Sequence, residues 1–138
     1  MTDASPPRRA TRIAHVGIAV RALDDLLPFC RDILGLPEVD LDDADGAHIA
    51  GLAAGESLVE LLEAQEPHTP IGKFIAKRGP GLHHICFAVD DLDTTLARCR
   101  AADIRLIDNV PRVGADGKRI AFLHPSATAG VLVELTEL

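Results

Sequence analysis

The sequence has no tryptophan, no tyrosine and only four phenylalanines in 138 residues. Without aromatic faces there is little on which the bases of single-stranded nucleic acid could stack, and the core has to be aliphatic. Cysteine is scarce as well. Cys30, Cys86 and Cys99 are odd in number, widely spaced and never in a CxxC pair, which speaks against a disulfide framework or a thiolate zinc site and for reduced core thiols. No stretch reaches the roughly 18 apolar residues of a membrane span, and the opening MTDASPPRRATR lacks the apolar segment of a secretory signal. The expectation is a cytoplasmic protein without a membrane partner, with residues 1–10 as a flexible tail. Basic residues are outnumbered 14 to 21, for a net charge of −7, so a phosphate backbone is excluded as a general partner and no nucleic acid is expected.

The rest of the composition, 47% hydrophobic and 25% charged, is that of an ordinary globular domain. A chain of this length can bury about 68–70% of its unfolded surface, enough for a single domain, here expected over residues 11–138.

The chain repeats itself, and fixed-period self-similarity outweighs other sequence signals for fold class. AHVGIAVRALDDLLPFCR (14–31) lies on HHICFAVDDLDTTLARCR (83–100) without a gap at an offset of 69, so that His15 meets His84 and Cys30-Arg31 meets Cys99-Arg100. LVELLE (58–63) lies on LVELTE (132–137) at an offset of 74, and Glu60 meets Glu134. The two repeats, 11–66 and 82–138, are joined by 67–81.

Each repeat reads as strand, helix, then shorter strands. Ile13 to Val20 is β-branched and apolar; Leu26, Leu27, Cys30, Ile33 and Leu34 follow at helical spacing until Gly35 stops them. In the second copy Leu92, Leu96 and Cys99 carry the helix, with Asp90 or Asp91 as its N-cap. Further strands are predicted around 38–41, 47–53 and 57–63, and around 105–108, 119–124 and 130–136. Ile71, Phe74 and Ile75 predict a short helix in the connection, between Pro70 and Gly79-Pro80-Gly81. Two such β-α-β-β-β modules related by a pseudo-twofold axis form an α+β domain.

That symmetry has a chemical consequence. The polar residues duplicated on strands are one His and one Glu per half, so the axis can bring His15, Glu60, His84 and Glu134 to one point. Two imidazoles and two carboxylates suit one divalent ion of the zinc, cobalt, manganese or nickel kind and leave coordination positions open. An ionised Glu inside an apolar LVEL run is costly to bury unless paired or metal-bound; the competing reading is that both Glu side chains face solvent on the alternate strand face. On regular strands His83 points away from His84, and Glu63 and Glu137 face solvent. His48, His68 and His124 have no duplicate and are read as structural.

The segments AHVGIAV, GLHHICFAVDD and GKRIAFLHPSATAGVLVELTEL resemble the methylmalonyl-CoA epimerases of the vicinal oxygen chelate superfamily, over residues 12–138. The resemblance implies paired β-α-β-β-β modules forming an open, cupped mixed sheet around one divalent metal ion. It puts His15, His84 and Glu134 in ligand places, with Glu60 where the family has Gln or Glu. It also implies a homodimer and an acyl-coenzyme A substrate, epimerised by enolate stabilisation and α-proton transfer, with Glu134 able to act as a base on one face. Certain relatives carry a second catalytic Glu on the strand after the first helix, where GAHIAGLA (46–53) has Ile49. His48, through a one-residue bulge, or Glu60 is expected to act instead. Ser126 stands where Lys often follows FLHP. Rival readings are a glyoxalase I type lactoylglutathione lyase, which uses the same ligand types, and a metal-free sequestering module of the bleomycin-resistance kind.

Overall fold

A computed structural model describes residues 11–138; the tail expected at 1–10 lies outside the described residues. Ten elements follow one another: β1 (Arg12–Val20), β2 (Glu38–Val39), β3 (Ala47–Ala54), β4 (Ser57–Ala64), α1 (Pro70–Arg78), β5 (Gly81–Val89), α2 (Leu92–Ala101), β6 (Arg112–Val113), β7 (Arg119–Leu123) and β8 (Val133–Glu137). The strands form one mixed sheet in the order β2-β3-β4-β1-β5-β8-β7-β6. This is the open, curled sheet that the resemblance implies, built from the paired modules that the repeat predicts.

The two halves meet at the antiparallel β1–β5 pair, and its register is itself symmetric. His15 faces Cys86 and Gly17 faces His84, on either side of Val16 facing Ile85. Shifting each residue by 69 exchanges these pairings, so the pseudo-twofold axis passes between Val16 and Ile85. The register slips once on each side, between Ile13 and His15 and between Gly17 and Ile18. Ala14 on β1 and His83 on β5 are left over, one bulge immediately before each ligand-type histidine. Burial along β1 and β5 follows the same pattern residue for residue. On the outer sides β1 runs parallel to β4, with Gly17 beside Glu60, and β5 runs parallel to β8, with Cys86 beside Glu134.

The helix expected after β1 is replaced by a 3-10 turn at Leu23–Asp25 and a π-helical turn at Phe29–Ile33. Pro28 lies between them and has no N–H to continue an α-helical ladder. Glu63, expected in solvent, holds the first turn: its carboxylate accepts from Leu23 N at 2.8 Å. In the second module α2 is regular and begins at Asp91, whose side chain accepts from Thr94 N at 3.0 Å. The strand expected at 105–108 shrinks to a bridge between Leu106 and Leu123.

Leu92, Leu96 and Cys99 of α2 pack against Val89, Ala121, Leu123 and Leu135, while Val20, Cys30, Leu52 and Leu61 form the corresponding core of the first module. All three cysteines are free and buried. A third cluster, Ala19, Ala47, Leu62 and Ile71, fixes α1 to the sheet, and Thr69 caps that helix by accepting from Gly72 N. Among the described residues no helix is long and apolar enough to cross a membrane.

Candidate metal centre and pocket

Position 15 on β1, 60 on β4, 84 on β5 and 134 on β8 all face the hollow of the sheet, where they line one cavity of roughly 230 Å³. The four side chains are buried, none more than 8% exposed. Three of them converge closely. His15 Nε2 lies 3.0 Å from His84 Nε2 and 2.9 Å from Glu134 Oε1, and His84 Nε2 lies 3.0 Å from the same oxygen. Such a nearly equilateral triangle of donors is a demanding test of fit. At metal–ligand distances of about 2.1 Å, neighbouring vertices of an octahedron are about 3.0 Å apart and those of a tetrahedron about 3.4 Å. His15, His84 and Glu134 therefore match one face of a six-coordinate ion, and together they can hold a metal.

Glu60 reaches the same cavity but stands outside the triangle. Its Oε2 is 3.2 Å from His15 Nδ1, the ring nitrogen on the other side from the triangle. The repeat-related carboxylates thus occupy unlike places, and their chemistry diverges. Burial raises the Glu60 pKa above the usual carboxylate value, partly opposed by the nearby charge of His15. Burial acts the same way on Glu134, but hydrogen bonds from His15 and His84 outweigh it and hold that carboxyl at about 2. Burial also opposes charge on His15, yet the hydrogen bond to Glu134 and the charges of Glu60 and Glu134 raise its pKa.

His83 does not point away from its neighbour as a regular strand would require. The bulge turns it back, so that His83 Nδ1 lies 2.9 Å from His84 Nδ1 and its ring meets Phe74 edge-on at 5.0 Å. Burial first, and then the adjacent His84, lower the His83 pKa to about 4.

His48 is not brought to the cavity. Strands β3 and β4 pair without interruption from Ala47 to Ala54, so the bulge needed to turn His48 inward is missing. Instead His48 is exposed, with Nδ1 2.9 Å from Asp43 Oδ2. Ile49, its neighbour, takes the inward position. His124 is structural: its Nδ1 accepts from Ser126 N at 3.0 Å.

Ile49, Leu62, Ile71, Ile120, Phe122 and Leu132 make the cavity wall apolar. At the rim the two far edges of the sheet approach each other. Asp42 N donates to Ala115 O at 3.0 Å, and Arg112 Nη1 lies 2.5 Å from Asp45 Oδ1. Arg112 also contacts Asp108 at 3.1 Å and sits 5.5 Å over the Phe122 ring, which in turn meets His84 edge-on. Neither Arg112 nor Asp116, which also lines the cavity, has a counterpart in the repeat. Arg112 lies on β6 and Asp116 in the turn between β6 and β7, and neither was a candidate in the sequence.

Residues 14–122 match the profile of the Glyoxalase/Bleomycin resistance protein/Dioxygenase superfamily. The chain is 39% identical to the Bacillus subtilis protein YqjC over 128 residues, 91% of either chain. It is 35% identical over 132 residues to the ethylmalonyl-CoA/methylmalonyl-CoA epimerase of Cereibacter sphaeroides, covering 92% of this chain and 98% of that one. A solved Streptomyces coelicolor methylmalonyl-CoA epimerase variant in complex with 2-nitronate-propionyl-CoA superposes with a TM-score of 0.87 at 37% identity, over 92% of this chain and 94% of the other.

Proposed function

The chain belongs to the glyoxalase/bleomycin resistance protein/dioxygenase superfamily, and from that premise we propose that it epimerises methylmalonyl-CoA or a close 2-carboxyacyl-CoA by moving the α-proton. The observation that carries the reading is the pair of carboxylates at one buried site, Glu134 within the donor triangle and Glu60 outside it behind His15. In strand order Glu60 of β4 and Glu134 of β8 enclose His15 of β1 and His84 of β5. Inverting a carbon requires a proton to leave one face and arrive at the other, so the reaction needs one proton-handling group per face.

His15, His84 and Glu134 would hold the divalent ion, of the cobalt, manganese, zinc or nickel kind, with Glu60 at hand as a fourth donor and second oxygen. Bound there, the ion supplies Lewis-acid stabilisation where negative charge develops. The chain's own residues do the rest. The apolar wall formed by Ile49, Leu62, Ile120 and Phe122 excludes water from the reacting carbon and strengthens the electrostatics of the site. Glu134, within the cavity, would serve one face of the carbon. Ile49 leaves the first module without the inward carboxylate some relatives carry on that strand, and Glu60 takes the second proton-handling role.

The glyoxalase reading would use the same donors, but the reported relatives of named activity are epimerases. A metal-free sequestering module would have no use for three buried donors held 3 Å apart. The homodimer implied by the resemblance and the cytoplasmic location expected from the sequence belong to this proposal, and sedimentation of the purified chain tests the first.

The deciding experiment is α-proton exchange in heavy water, followed by proton NMR with the metal-loaded protein. Methylmalonyl-CoA or ethylmalonyl-CoA should exchange and epimerise, and the glutathione hemithioacetal should be inert. Turnover of the hemithioacetal alone would overturn the assignment.

A further inference from the structure

We propose that His83 is a positioning residue for His84, fixing the ring so that its Nε2 lone pair points into the donor triangle. This rests on His84 being a metal ligand, and the experiment below separates the two. A ligating imidazole nitrogen must be free of hydrogen, so His84 has to carry its proton on Nδ1. That nitrogen lies 2.9 Å from His83 Nδ1. Two nitrogens at this distance share one hydrogen, so the His83 nitrogen accepts, and His83 is neutral with its own proton on Nε2. A protonated His83 would set two N–H groups against each other. Its ring is half-buried between Phe74 and His84, edge-on to both.

The symmetry of the fold sharpens the inference. The residue equivalent to His83 in the first module is Ala14, whose methyl side chain cannot accept a hydrogen bond. There the nitrogen of His15 outside the triangle faces Glu60 Oε2 instead, at 3.2 Å. Each histidine of the triangle therefore has an acceptor at its back, a carboxylate behind His15 and an imidazole behind His84. The bulge at His83 has a purpose in these terms, because on a regular strand the ring would point to the opposite face of the sheet.

The test is the affinity of the purified full chain for Co²⁺ alone, measured by competition with a chromogenic chelator, with the visible Co²⁺ spectrum as a second readout. His83→Phe keeps a ring against Phe74 and removes the acceptor, while His83→Asn places an amide oxygen where Nδ1 stood. His83→Phe should weaken Co²⁺ binding about 10–100-fold and alter the spectrum, while His83→Asn should stay within roughly threefold of wild type. If the Phe variant does not fold, His83→Ala gives the same comparison. Wild-type affinity in both variants that lack the acceptor would overturn the proposal. A loss in His83→Asn as large as in His83→Phe would do so too, since packing alone would then be at work. His84→Ala separates the premise: if it binds Co²⁺ as wild type does, His84 is not a ligand and both readings fall.

Discussion

Gly17 and His84 face each other across the central strand pair, and a Cβ built on Gly17 would stand 2.2 Å from His84 Cε1. No side chain fits there, so the glycine is required by the ring and not by a turn. Gly17→Ala should push His84 out of the donor triangle, lowering metal affinity by at least the roughly 10–100-fold that loss of ligand orientation costs. Metal titration together with a thermal melt checks this; full affinity with an unchanged melt would mean the ring has another place to sit.

His84→Ala should abolish metal binding and α-proton exchange together while the fold persists, because the ring faces the cavity and belongs to none of the three hydrophobic clusters. Elemental analysis of the purified variant, set beside its circular dichroism, reads both. Retained exchange in a folded, metal-free variant would remove the metal from the reaction.

Glu60→Gln should slow exchange from one epimer more than from the other, by about the 10²–10⁴ that a general base supplies, whereas a ligand substitution should slow both equally. His48→Ala should leave both rates near wild type, since His48 is on the solvent side of β3 with Asp43. Symmetric rates in Glu60→Gln would shift attention to Asp116 at the rim.

The depressed pKa of His83 makes the metal-free protein sensitive to acid. Its value in the fold is about 4 against an ordinary 6.5, so below pH 6.5 the unfolded chain takes a proton that the folded chain refuses. The stability it contributes is complete above about pH 6.5 and is lost as pH falls through 4, on the order of 3 kcal/mol at 1.36 kcal/mol per unit. Urea melts across that range should show the slope in wild type and a flatter one in His83→Asn. Equal slopes would place the acid sensitivity elsewhere.

How much of this could be read in the residues depended on whether a feature has a sequence signature. The duplicated His and Glu were legible because two copies at fixed offsets are improbable as chance, and they located the cavity and the strands around it. Their division into three close donors and one outlying carboxylate was not, because LVELLE and LVELTE are nearly alike and the difference arises from what surrounds them. The bulges at Ala14 and His83 left no mark either: a register slip is a backbone event, and the residues involved share no type. His48 illustrates the converse. A bulge was needed to bring it inward, and the uninterrupted β3–β4 ladder denies one. The interrupted first helix was open to view in Pro28, but the apolar spacing around it masked the break.

The symmetric register about Val16 and Ile85 also bears on how the gene could be cut. Either module on its own would expose the seam strand, β1 or β5, with an unpaired edge whose natural complement is another module. A half-length product would thus be driven to self-associate and rebuild the seam from two chains. For the same reason the order of translation is immaterial to the seam. A circular permutant that opens at residue 82 and returns from 138 to 11 through a copy of the 67–81 connection would assemble the same donors.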